Sequence, residues 1–205
     1  SGRWQLAAAP EQADLIWDST SGSVVHSSGD LVAQGVSTEE LLEGVAEKWV
    51  AVNTLGPMLS ELNAQLLVGP NPPSLGYVER DRLNLRLLNV QALSDGSRYA
   101  TVFDIAPDGS IELLYPKRAD GQGILPGSGS LPILEVEVTK PFGADHVVAV
   151  ITTDPAEDLR GLLRSLTGQK AALQAAEAVK AALRRASGKG ALAIAHIYTR
   201  SGPHD

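Results

Sequence analysis

The stretch FDIAPDGSIELLYP, residues 103–116, decides the fold. Phe103 and Ile105 flank Asp104, and Tyr99 and Thr101 extend the same alternation upstream. Ile111, Leu113 and Tyr115 resume an apolar face downstream. A period of two means extended backbone, because successive side chains of a strand point to opposite faces. Between the two runs, Pro107 presets φ for the first turn position, Asp108 suits the second, and Gly109 supplies a left-handed residue. The stretch therefore predicts a β-hairpin.

The same period holds on either side. Leu83, Leu85 and Leu87 alternate with Asn84 and Arg86, and Leu134, Val136 and Val138 alternate with Glu135 and Glu137. These are strands with one wet face. HVVAVITT, from His146, is apolar on both faces and predicts a central strand covered on both sides. Hairpin-sized spacings from 83 to 152 argue for antiparallel pairing. Upstream, ADLIWDSTSGSVVHSSGDLVAQGVS breaks short apolar runs with Ser, Gly and Asp, which predicts two or three short strands. Ser37 and Glu40 read as a capping box before a helix striped by Leu41, Val45, Trp49 and Val52. Gly56-Pro57 interrupts it, with a short second helix expected from Met58 to Asn63. The proline-rich run from Gly69 to Arg80 is taken as a soft boundary.

The tail turns helical. Asp154, Pro155 and Glu157 read as a cap, a first-turn proline and an N3 acid before a stripe of Leu159, Leu162, Leu163 and Leu166, which Gly168 ends. A second helix is expected from about Gln169 to Ala186, and ALAIAHIYTR is a last strand. The expected fold is α+β: a mainly antiparallel β-sandwich with helices packed on one side. Residues 1–68 form a linker-like strand and helix module, and 69–205 a β-rich domain with a helical insertion over about 154–188.

Composition excludes several functions. With no cysteine among 205 residues, the chain has no thiol nucleophile and no Cys-bound zinc or iron–sulfur cluster. A formal charge of −7 and an aromatic content of 4% argue against a nucleic-acid binder. No apolar run reaches the roughly 20 residues of a membrane helix, and no targeting segment marks a compartment. The chain begins at Ser1, not Met, and reads as a cut-out or processed piece. His26, His146, His196 and His204 have no metal-ligand spacing. No GxSxG elbow is present, so a hydrolase built on Ser128 or Ser130 with His146 or His196 is the weakest reading. RASGKGA ends a helix, whereas a phosphate cradle must open one. No catalytic, metal or cofactor residue is assigned. The candidate binding surface is the long glycine-rich loop that follows the hairpin, with Lys117, Arg118, Gly127 and Ser128, together with Phe142.

A resemblance adds a context. Residues 83–155 resemble a domain of unknown function found near the C-terminus of many bacterial caspase-like cysteine peptidases. The residues that carry it are Val102 to Ile105, Asp108-Gly109, Leu114 to Pro116, Pro126-Gly127, Pro141 to Gly143, and Val147 to Thr152. The segment ADLIWDSTSGSVVHSSGDLV, with LLEGVAEKW after it, is similar to the region linking peptidase and accessory domain in such proteins. The resemblance implies a bacterial protein with a His/Cys caspase-like domain upstream. This chain would be its non-catalytic accessory domain, binding substrates or partners or restraining the peptidase. The alternative is an independent protein- or ligand-binding module unrelated to proteolysis.

Overall fold

A computed structural model describes residues 5–59, 65–70, 76–88, 98–118, 121–125, 130–186 and 189–202. Its strands are β1 (Leu15–Asp18), β2 (Ser23–His26), β3 (Leu31–Ala33), β4 (Gln65–Gly69), β5 (Tyr77–Val78), β6 (Arg82–Leu88), β7 (Tyr99–Ile105), β8 (Ile111–Tyr115), β9 (Ser130–Glu137), β10 (Ala144–Thr152) and β11 (Ala191–Arg200). Its helices are α1 (Glu39–Leu55), α2 (Glu157–Leu166) and α3 (Ala172–Arg185). A five-stranded sheet, ordered β5-β11-β10-β7-β8, faces a three-stranded sheet ordered β4-β6-β9, and a small third sheet, β1-β2-β3, joins them through a bridge from Ala33 to Gly143. Every pairing is antiparallel except that of β5 with β11. The fold is the α+β sandwich with helices on one side.

The alternation seen in the sequence sorts the core into two layers. Ala100, Val102, Val147, Ala149, Ile151 and Ile197 point from the five-stranded sheet toward Leu83, Leu85 and Leu87 of β6. Phe103, Ile105, Val148, Val150 and Leu192 point the other way, onto Ala51, Val52 and Leu55 of α1, Leu159 and Leu163 of α2, and Ala175, Ala176 and Val179 of α3. β10 is thus covered on both faces. Each fully buried large apolar side chain contributes about 1.5–3 kcal/mol. α1 is also covered on its outer side, where Val45 joins Val24, Val32, Ala33 and Val36 of the small-sheet region.

The hairpin turn has a second role. Gly109 sits at φ +86°, its N–H donates to Ala106 O at 2.9 Å, and Asp108 Oδ1 accepts from Ser110 N at 3.0 Å. The turn docks on α1 at Gly44, where a Cβ would lie 2.6 Å from Asp108 O. Glycine in mid-helix is explained by this approach.

Several local expectations shift. Thr38, one residue after Ser37, caps α1 by accepting from Leu41 N at 3.3 Å. Two adjacent hydroxyl residues offer the cap, and the one directly before Glu39 takes it. α2 begins at Glu157 behind Ala156, with no side-chain cap. Asp154 instead presents its carbonyl to Thr152 Oγ1 at 2.7 Å, which holds the turn before the helix. Gly168, at φ +79°, ends α2 as expected. Gly56–Met58 form a 3-10 turn that ends at Leu59, which is not helical, and residues 60–63 of the expected second helix lie outside the described residues. The proline-rich run carries β5, bound to Thr199 and Arg200 of β11. The long loop is shorter than expected, because β9 begins at Ser130.

Candidate functional site

The residues singled out in the glycine loop do not form one site. Lys117 and Arg118 are exposed on a shallow surface with Tyr115, Gln122 and Ile124. Gly127 and Ser128 lie outside the described residues. Phe142 is only 4% exposed and belongs to the core between the sheets. The described part of the loop, 121–125, is bound down along the start of β7: Ala100 N donates to Gly123 O, and Leu125 N to Arg98 O, both at 2.7 Å. Beneath it lies Arg160 of α2, 1% exposed. Its Nε donates to Thr101 Oγ1 at 3.1 Å and its Nη1 reaches Gly121 O at 3.5 Å and Glu157 Oε1 at 3.4 Å. A Cβ on Gly123 would lie 2.6 Å from both Ala100 O and Arg160 Nη2, and the residue sits at φ +66°. Gly123 thus lets the chain cover a buried guanidinium, a structural task.

The hydrolase constellation is not assembled either. Ser130 Oγ accepts from Arg86 Nη2 at 2.7 Å on the three-stranded sheet. His146 and His196 face the helix side of the other sheet, paired edge to face with ring centroids 4.8 Å apart. His146 is 3% exposed, and burial, helped by the Lys48 charge, pushes its pKa down to about 2, so it stays neutral. Among the described residues no cluster of His, Asp or Glu could hold a metal ion, and no helix is long and apolar enough to cross a membrane.

The strongest site is a cleft of about 360 Å³ where the two sheets part. Leu83 and Val136 are register partners on β6 and β9, and with Leu134, Leu114, Val147 and Ile197 they make apolar walls. Val136 is 39% exposed although it points inward, because the sandwich is open there. Two half-buried carboxyls, Asp104 of β7 and Asp145 of β10, stand on the floor within hydrogen-bonding reach of each other. Burial pushes the Asp104 carboxyl up to about 6, against the pull of Lys48. Burial and the neighbouring Asp104 hold Asp145 well above the usual carboxylate range. Two adjacent carboxyls cannot both ionise cheaply, so the pair holds one proton and titrates as a unit.

The counter-charge comes from α1. Lys48 is 0% exposed, its Nζ donates to Ala144 O, and its charge acts on both carboxyls. Burial pushes its pKa down to about 8, partly offset by Asp145 and Asp104. Sequence reasoning passed over this group because Asp104, Asp145 and Lys48 lie in three separate elements. The available signal was polar residues at inward positions: Asp104 next to Phe103 and Ile105, and Lys48 beside Trp49 on a striped helix. Comparison with protein-family models, with curated proteins and with solved structures found no match to this chain.

Proposed function

We propose that this chain is a non-catalytic binding domain that serves a bacterial caspase-like cysteine peptidase, and that it takes its ligand in the cleft between the sheets. Without cysteine the chain is not itself a cysteine peptidase. The observation that carries the binding reading is the open cleft with apolar walls and a proton-sharing carboxyl pair on its floor. Concave, mostly apolar sites with a few converging polar groups are the usual form of a ligand site. The link to a peptidase rests on the resemblance over 83–155. Of the residues that carry it, Val102 to Ile105 fall in β7, Asp108-Gly109 in the hairpin turn, Leu114 and Tyr115 in β8, and Val147 to Thr152 in β10, while Pro126-Gly127 lie outside the described residues.

The test uses the full natural gene product. Val136→Arg places a long cationic side chain at the mouth of the cleft. The expected result is a several-fold rise in KM for a protein substrate, with turnover of a short chromogenic peptide unchanged. A gene product without a His/Cys domain, or unaltered protein turnover in the variant, would sink the peptidase link. The cleft is built from this chain's own residues, which favours a second reading: a binding module that acts without a peptidase. It predicts saturable binding by the isolated chain that Val136→Arg abolishes.

A further inference from the structure

The charges around the cleft indicate its ligand. Asp104 and Asp145 are on the floor, Glu112 of β8 and Glu137 of β9 stand at the sides, and Lys140 is the one basic side chain on the described lining. From the far side, Lys48 of α1 gives the floor a single positive charge, and Asp108 of the hairpin turn adds a further acid near Lys48. His146 and His196 face the opposite side of the sheet. One lysine against two carboxyls leaves the floor one cation short, and the shared proton makes up the difference. Asp104 Oδ1 is also buried, and apart from the proton shared with Asp145 no described group donates to it, a costly condition for a carboxyl oxygen.

The walls suit a particular shape of cation. A lysine or arginine lays its methylene stem along apolar surface while its head seeks polar partners. β9 is the outer strand of its sheet, so its backbone can also receive an extended chain. We infer that the cleft receives a lysine or arginine side chain of an extended protein segment, with apolar residues on either side, and that its cationic head replaces the proton shared by Asp104 and Asp145. This rests on the cleft being a binding site. The bound cation favours the ionised carboxyls, so binding releases a proton, and affinity rises with pH as the pair ionises.

The test titrates the chain with acetyl-Val-Arg-Val-amide and with the same peptide carrying neutral citrulline, followed by methyl NMR at Leu134 and Val136 and by calorimetry in two buffers. The expected result is shifts at the cleft methyls, roughly tenfold tighter binding of the arginine peptide, proton release, and loss of the preference in Asp104→Asn. If both peptides shift the cleft methyls equally, the cation inference falls and the binding cleft stands. If neither peptide shifts them at millimolar concentration, both fall. The citrulline comparison on the unaltered chain decides the matter even if Asp104→Asn fails to fold.

Discussion

Replacing Lys48 by methionine should change stability in a way that depends on pH. Methionine fills similar volume, so packing loss is small. What changes is the charge balance beneath the cleft. Below pH 6 the pair takes up a proton, since burial pushes Asp104 up to about 6, and burial and the neighbouring Asp104 raise Asp145 as well. There the variant loses its bond to Ala144 O but no longer buries an ammonium, and the two effects oppose each other. Above pH 6 the natural protein holds an ionised carboxyl beside Lys48. The variant must bury that carboxylate unpaired or keep it protonated. Protonating a group of pKa about 6 at pH 7.5 costs about 2 kcal/mol, at about 1.4 kcal/mol per unit, which caps the penalty. The penalty should therefore grow from near zero at pH 5 to about 2 kcal/mol at pH 7.5. It should level off above about pH 8, where Lys48 itself loses its proton. Urea unfolding of both proteins at pH 5, 6, 7 and 8 measures this directly. A destabilisation that stays constant from pH 5 to 8 would refute the coupling of Lys48 to the carboxyl pair.

Three further outcomes can be checked. Gly44→Ala adds a Cβ that would lie 2.6 Å from Asp108 O, and the clash outweighs the gain in helix propensity of about 1 kcal/mol. Thermal unfolding should show a net loss of about 2 kcal/mol, or roughly 5 °C. Gly123→Ala meets both a backbone oxygen and Arg160 at a left-handed φ, so it should cost about 2–3 kcal/mol, read from its urea midpoint. The His146 ring should stay neutral from pH 5 to 8 by NMR. Because its folded pKa is depressed, its contribution to stability is full above pH 6.5 and is lost as pH falls, since the unfolded chain alone takes up the proton.

The strands and the sandwich were legible because one wet face imposes strict alternation, as at Leu83, Leu85 and Leu87. The turn at 106–110 was legible because Pro, Asp and Gly each meet a distinct backbone requirement. The caps moved by one or two residues because Ser37 and Thr38 compete chemically on equal terms and only the final backbone path chooses. The packing of α1 between two layers was not legible, because a helix stripe shows that a face is buried but not how many partners bury it. The glycine loop drew attention as a surface for ligands. Gly123 is a glycine because Arg160 and the β7 backbone come close, a contact made by residues far away in sequence. The cleft stayed hidden for the same reason: its floor needs residues 48, 104 and 145 in one place.

The order of the five-stranded sheet has a consequence for how this protein is made. β10 pairs with β7 on one side and with β11 on the other, and α2 and α3 intervene before β11 is synthesised. A ribosome therefore delivers an apolar strand with one unsatisfied edge and must add two helices before the strand that seals it. Exposed edges of that kind template association between neighbouring chains. α2 and α3 emerge in time to cover the helix-side face of β10 but leave its edge open. The interval before residues 191–200 arrive is when this nascent chain most needs protection from its neighbours on the same message.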